Sequence, residues 1–177
     1  MSTTPSVASL FADSTAKSFA GLPANTGAGA LGEWPADGEH PCFVTKIDLK
    51  TDVFKGKNNL TVPAAYIQFH YSTSQIPANR KEPLDFMGVA FIIPSDESQI
   101  TDEGNRTRIR IEKERLIGHL QTITGTTITD VRQGLQAAID AVTTGRIEVM
   151  VKCTSRKDDK TNRTYKTEYL SANLSRV

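Results

Sequence analysis

The feature that most limits the fold of this chain is the order in which strand-like and helix-like patterns of hydrophobic residues follow one another. Alternation of apolar and polar residues is typical of a half-buried strand, whereas apolar residues three or four positions apart are typical of an amphipathic helix. Strand-like segments occur three times before residue 94 and twice after residue 145, and helical spacing lies between them. The sequence therefore predicts three strands, a helical insert and two further strands.

The five strands differ in how their hydrophobic residues are arranged. Alternation from Phe43 to Leu49 and from Ala65 to Tyr71 predicts the first two strands. Leu84 to Ile93 is apolar at nearly every position, which favours a third strand buried on both faces. Alternation returns from Arg146 to Cys153 and from Tyr165 to Leu174, on either side of a polar turn. These last two segments predict a closing hairpin.

Two helices are predicted between the third and fourth strands. The first runs from about Thr107 and ends at Gly125, and the second has Thr129 or Asp130 as its cap and ends before Gly145. Five strands with a helical element between the third and the fourth are the arrangement of the oligonucleotide-binding (OB) fold, a partly open Greek-key barrel. The predicted fold class is mainly β (α+β), a five-stranded OB-type barrel with two helices inserted between strands three and four.

The first 33 residues have a different composition from the rest of the chain. They are rich in Ser, Thr, Ala, Gly and Pro, and their apolar residues are too sparse to set a lasting period. Residues 1–33 are therefore predicted to be a flexible amino-terminal arm, and residues 34–177 the folded OB-like domain, entered at Trp34. Four apolar residues of the arm keep a short helix or a docking segment open: Leu10, Phe11, Phe19 and Leu22.

The sequence offers no motif for catalysis or cofactor binding in a suitable context. Gly27 to Gly32 match G-x-G-x-x-G, but a dinucleotide site needs a strand before this motif and a helix after it, so a linker is the preferred interpretation. His40, His70 and His119 fall in three different elements, and two cysteines are too few for a cysteine zinc site. We expect no cofactor, no metal and no enzymatic activity.

Hydropathy bears on the location of the protein. The longest apolar run, Val89 to Ile93, is only a few residues long, and the amino terminus lacks the basic start and apolar stretch of a secretory signal. We therefore expect a soluble cytoplasmic protein without a membrane partner.

The charge distribution singles out the closing hairpin. The whole chain carries +1, whereas Lys152 to Lys166 contains six basic and two acidic residues, a charge of +4 that leaves −3 on the rest. A positive loop on a mildly negative body is typical of a local phosphate-binding surface. If Val149 and Val151 face the core, Tyr165 and Tyr169 face outward, where they could stack on bases. A solvated hairpin tip with cross-strand tyrosine packing is the alternative, weighted equally.

The loop after the first strand supplies a second basic segment, with a charged solvated turn as its alternative. In OB barrels the loops joining strands one and two, and strands four and five, flank the ligand groove. We therefore expect both basic loops to border one site. The candidate phosphate-contacting residues are Lys50, Lys55, Lys57, Lys152, Arg156, Lys157, Lys160 and Arg163, and the candidate base-stacking residues are Phe54, Tyr66, Tyr165 and Tyr169.

Between about Trp34 and Leu174 the layout of the chain resembles the small OB-fold single-stranded-DNA-binding proteins of tailed bacteriophages. The resemblance is carried by Gly38 to Leu49, by Leu116-Ile117-Gly118-His119-Leu120 through Gly125, and by Gly145 to Val149 leading into the basic turn and Tyr165. It implies a non-catalytic protein that coats single-stranded DNA during replication or recombination, in the host cytoplasm if the protein is viral. Replication or recombination proteins are then expected partners, and a homo-oligomer remains open. The alternative is a structural or protein-interaction module, such as a phage accessory protein.

Overall fold

The computed structural model describes residues 4–22, 27–30 and 34–176 of the 177-residue chain. Within these ranges the chain forms one antiparallel sheet, three α-helices and two short 3-10 turns, at Val7–Ser9 and Leu174–Arg176. The strands are β1 (Gly27–Ala30), β2 (Gly38–Lys55), β3 (Thr61–Thr73), β4 (Asp85–Pro94), β5 (Glu148–Asp158) and β6 (Arg163–Asn173). The helices are α1 (Asp13–Lys17), α2 (Glu103–Thr124) and α3 (Val131–Thr144).

The strands lie in the order β1-β6-β5-β2-β3-β4. β2, β3 and β4 follow one another as a meander and β5 returns to lie beside β2, which is a Greek-key arrangement. The short β1 pairs with β6 and also contacts β4, so the two ends of the sheet approach each other without closing it. The predicted order of five strands, with two helices between the third and the fourth, is confirmed by β2 to β6 and by α2 and α3.

The two long helices cover one face of the sheet. Asp102 caps α2 by accepting a hydrogen bond from the backbone N–H of Asn105, and Gly125 ends the helix with a φ of 67°. No helix within the described ranges is long and apolar enough to cross a lipid bilayer. The helix side chains that reach the main core are Leu116, Ile117, Leu120 and Ile123 of α2 and Leu135 and Ala138 of α3.

A second, smaller hydrophobic cluster lies on the other side of the sheet. Ala64 belongs to this cluster, whereas its neighbour Ala65 belongs to the main core, because successive residues of a strand face opposite sides. Ile100, just before α2, and Ile109, near the start of α2, cover this part of the outer face. Further along β4 the outer face is not covered, since Met87 is exposed. The prediction that this strand is buried on both faces along its length is therefore wrong.

The amino-terminal segment corrects the predicted flexible arm. Phe11 and Phe19 are buried in the main core and pack edge to face, with ring centroids 5.8 Å apart. The backbone N–H of Ala12 donates to the carbonyl of Ser95 at 2.8 Å, which fastens the segment to the end of β4. Residues 4–22 are thus part of the folded domain. The rest of the predicted arm lies outside the described residues, apart from β1.

A buried polar cluster connects β6 to β3 and α2. Glu168 has no exposed surface, and its Oε1 accepts a hydrogen bond from the Tyr71 hydroxyl at 3.0 Å and lies 3.1 Å from His119 Nε2. His119 Nδ1 lies 3.0 Å from the carbonyl of Arg115, so Nδ1 carries a hydrogen. Burial and the charge of Glu168 hold the pKa of Tyr71 well above its usual range, so its hydroxyl remains a donor.

The packing of the amino-terminal segment can be tested by Phe19→Ala. We expect this change to lower the free energy of unfolding by about 3–5 kcal/mol, because it empties a fully buried site. Urea unfolding measures the effect, with Lys17→Ala, an exposed residue of the same segment, as the control that changes it by less than about 0.5 kcal/mol. A Phe19→Ala protein as stable as the Lys17→Ala control would show that the segment does not pack in solution.

The Glu168 cluster predicts different effects for two substitutions at one position. Glu168→Ala leaves Tyr71 and His119 without their shared partner in the interior. We expect this to lower the free energy of unfolding by about 3–5 kcal/mol. Glu168→Gln keeps a carboxamide oxygen that can still accept the hydrogen of the Tyr71 hydroxyl, so the loss of free energy should be smaller by at least about 1 kcal/mol. Equal losses for the two variants in chemical denaturation would argue against a hydrogen-bonded role of Glu168.

Candidate nucleic-acid interface

The turn between β5 and β6 is held by its own side chains. The Asp158 carboxylate accepts hydrogen bonds from the backbone N–H groups of Lys160, at 2.8 Å, and Thr161, at 3.3 Å. Asn162 takes a left-handed φ of 53°, a conformation that Asn tolerates better than most residues. The bond from Lys160 is the main reason that the pKa of Asp158 lies below its usual range. The turn amides thus stabilise this negative charge, and the tip keeps a defined shape.

One face of the β5–β6 hairpin combines tyrosines with cations. Lys152 lies opposite Tyr169 and Arg156 lies opposite Tyr165, as directly paired residues of the two strands. The side chains of Tyr165 and Tyr169 are 52% and 39% exposed, so both face outward as the alternation of the sequence led us to expect. We call these four residues the tyrosine–cation face.

Five cations of the hairpin have no carboxylate partner in the part of the chain that the structure describes. Among the described residues, no Asp or Glu forms an ion pair with the five exposed basic side chains that the sequence singled out on the hairpin. Their charge is therefore available to an anionic ligand, and it lies along and around the face that carries the tyrosines. The five side chains are Lys152, Arg156, Lys157, Lys160 and Arg163.

Tyr66 and Lys50 form a second pair of an aromatic ring and a cation, on β3 and β2. Lys50 Nζ lies 4.1 Å from the centroid of the Tyr66 ring, and the Tyr66 hydroxyl donates to Gln68 Oε1 at 2.6 Å. Burial, and then the charges of Asp48 and Asp52, raise the pKa of Tyr66. Because one side of this ring already carries Lys50 and two carboxylates lie near it, the pair is a weaker candidate for nucleic-acid contact than the hairpin.

Phe54 is removed from the candidate set. Its side chain is only 1% exposed and packs in the second hydrophobic cluster, so it has no free face for a base. The guanidinium of Arg108 lies 4.9 Å from its ring centroid and covers it further. The sequence analysis places Phe54 in the loop after the first strand, and it does not reveal that the start of α2 covers this end of the outer face.

The turn between β2 and β3 is attached to α2. The backbone N–H of Lys57 donates to Asn105 Oδ1 at 2.9 Å, and Arg108 Nη1 donates to the carbonyl of Lys55 at 3.0 Å. The side chains of Lys55 and Lys57 are exposed beside this helix. Arg108 thus adds a cation that sequence reasoning missed, since the helical pattern alone does not place it beside this turn.

The two basic turns do not lie side by side. Gly38 to Phe43 of β2 pair with Cys153 to Glu148 of β5, and the β5–β6 hairpin continues past the beginning of β2. The β2–β3 turn follows the opposite end of β2, after Lys55. The outward face of β2 therefore lies between the two basic turns that we expect to border one site.

A β-bulge on β2 turns Phe43 to the outer face, where it forms a cation–aromatic pair that the sequence does not predict. The pairing register shifts between Val44 and Lys46, so Phe43 faces outward while Ile47, four positions later, faces the core. The Arg146 guanidinium lies 3.9 Å from the centroid of the Phe43 ring. Simple alternation cannot identify such a pair, because a bulge reverses the faces at a position that the sequence does not mark.

The cysteines and histidines do not form a reactive group in the described part of the chain. Cys42 and Cys153 are free and buried, and burial raises the pKa of both thiols, that of Cys153 to about 12. Such thiols stay protonated and are poor nucleophiles. Among the described residues, no three His, Cys, Asp or Glu side chains form a cluster suited to a metal ion.

The burial of Phe54 predicts a structural role for it. Phe54→Ala should lower the free energy of unfolding by about 3–5 kcal/mol. The adjacent Val53 is 40% exposed, so Val53→Ala serves as the control and should change stability by less than about 0.5 kcal/mol. Thermal or urea unfolding compares the two variants. Equal stabilities would mean that α2 does not cover Phe54 in solution, which would restore it as a candidate for base stacking.

Comparisons with protein-family models, with curated proteins and with solved structures found no match for this chain. The candidate interface is therefore defined by the geometry of the tyrosine–cation face and the basic residues around it.

Proposed function

We propose that this protein is an OB-type barrel that binds single-stranded nucleic acid without strong sequence preference and without catalysis. The strand order supports the fold assignment, because β2 to β6 with helices between β4 and β5 have the order expected of this Greek-key barrel. The approach of β1 to β4 leaves such a barrel partly open. On this proposal the protein coats single-stranded DNA during replication or recombination, with proteins of those processes as partners.

The observation that carries the proposal is the tyrosine–cation face. An exposed tyrosine ring offers a surface on which any base can stack, worth roughly 1–3 kcal/mol per base, and a neighbouring cation attracts the phosphate. Tyr165 and Tyr169 are four residues apart on one strand, so their Cα atoms are about 13 Å apart. They would therefore stack on two different bases of one strand.

The same geometry favours a single strand over a duplex. In a duplex the bases are stacked on one another, and their flat faces are not accessible to a side chain unless they are flipped out at a cost. The edges of the bases, which a duplex does expose, are read by an element that enters a groove. The tyrosine–cation face presents two exposed rings, and stacking on rings does not select a sequence.

Fluorescence anisotropy of a labelled oligothymidine, titrated with the full chain at two salt concentrations, tests the proposal. We expect binding at low salt that weakens as salt rises, because the Lys and Arg side chains that contact phosphates release counterions from the strand. The logarithm of the binding constant should fall with the logarithm of the salt concentration, with a slope of about −0.7 per phosphate contacted. The double variant Tyr165→Ala/Tyr169→Ala should lose at least about tenfold in affinity.

Two controls separate stacking from a change in folding. Tyr165→Phe/Tyr169→Phe keeps both rings and should bind nearly as the wild type does. Gln133→Ala removes an exposed, uncharged side chain from α3, away from the hairpin, and should have no effect. No binding at low salt would refute the proposed function and favour a protein-interaction module. Wild-type affinity in the double alanine variant would refute the stacking part.

A further inference from the structure

A pocket of about 530 Å³ lies where the beginning of β2 meets the loop between β3 and β4. Its volume is within the usual range of small-molecule sites, about 300–1,000 Å³. Trp34, Ile76 and Leu84 give it apolar walls, and Gln75 and Asn79 add side-chain amides that can both donate and accept hydrogen bonds. Walls of this kind suit a planar heteroaromatic ring with polar edges.

The Trp34 indole forms part of the pocket wall. It packs edge to face against Phe86, with ring centroids 5.3 Å apart, which fixes the orientation of the ring. Its Nε1 is buried, so a molecule in the pocket would contact the exposed part of the ring and not this nitrogen.

The pocket adjoins the tyrosine–cation face. Glu39, which lines the pocket, is paired with Lys152, and Lys152 is paired in turn with Tyr169 on its other side. Since neighbouring strands are about 4.8 Å apart, Glu39 lies about 10 Å from Tyr169 across the sheet. The hydroxyl of Ser155 also donates to Asp37 Oδ2 at 2.9 Å, which joins the hairpin to the segment that follows Trp34.

The charges of the lining bear on which part of a nucleotide suits the pocket. Glu39 and Arg80 both line it, so their opposite charges give a phosphate no net attraction there, whereas the apolar walls and the amides suit a neutral base. Lys152, one strand away, provides the attraction for the phosphate instead. A strand that crosses the sheet at this point would therefore keep its backbone over Lys152 and turn a base toward Trp34.

We infer that the Trp34 pocket takes one unstacked base of the strand whose neighbouring base stacks on Tyr169. This inference rests on the proposed function and extends it, because a pocket that encloses one base gives the protein a fixed register on the strand. Stacking alone would let the strand slide.

Trp34 is the single tryptophan of the chain, so its fluorescence reports on the pocket directly. The full chain is titrated with unlabelled oligothymidine while the Trp34 emission is recorded, and binding is followed in parallel by anisotropy of the labelled strand. We expect the emission to change with the same midpoint as the anisotropy. In a series of strands that each lack one base, removal at one position should suppress the change in emission.

Two substitutions in the β3–β4 loop provide the matched comparison. Asn79→Ala removes an exposed pocket amide and should weaken binding about two- to tenfold, as expected for the loss of a hydrogen bond. Glu82→Gln changes an exposed residue of the same loop outside the pocket and should not weaken it.

The outcomes test the pocket assignment separately from the proposed function. Binding by anisotropy with unchanged Trp34 emission, and with equal affinities for the Asn79→Ala and Glu82→Gln proteins, would overturn the pocket assignment and leave the proposed function standing. The absence of any binding at low salt would overturn both. A change in emission with every strand of the series would also overturn the assignment, because it would show that no single base occupies the pocket.

Discussion

The buried carboxylate of Glu168 is the interaction on which the arrangement of this protein depends. It places a polar group inside the sheet, where it meets the Tyr71 hydroxyl from β3 and His119 from α2. A buried carboxylate that met neither group would be costly, so β6 is stabilised in the position in which Glu168 Oε1 reaches both, although its Oε2 has no partner among the described residues. The helix, the meander and the last strand are thereby held in a single arrangement.

This constraint also fixes the outer surface. In a strand whose Glu168 points inward, the adjacent Tyr169 must point outward, and so must Tyr165 four positions earlier. The tyrosine–cation face is therefore the other side of the same strand that carries the buried polar cluster. A shift of one residue in the register of β6 would bury the tyrosines and expose Glu168, which makes the two features depend on each other.

Particular residues show which features of the structure can be predicted from the sequence and which cannot. Alternation places Tyr165 and Tyr169 correctly because β5 and β6 are paired without a bulge along this part of the hairpin. The same reasoning does not predict that Phe54 is buried, because the residues that cover it belong to a helix that is distant in sequence. Composition fails for residues 4–22, because a few large side chains such as Phe19 suffice to anchor a segment with no regular pattern. The role of Glu168 also cannot be predicted from the sequence, because its partners Tyr71 and His119 come from two distant parts of the chain.

The central claim is that the outward tyrosines of β6 contact the bases of a single strand. The chain has four tyrosines, of which Tyr71 is buried and serves as an internal reference. Proton–carbon NMR spectra of ring-labelled tyrosine, recorded while oligothymidine is added, observe all four rings at once. The account predicts that the ring signals of Tyr165 and Tyr169 move upfield while those of Tyr71 stay in place. Unchanged signals from Tyr165 and Tyr169 under conditions in which the strand is bound would contradict it.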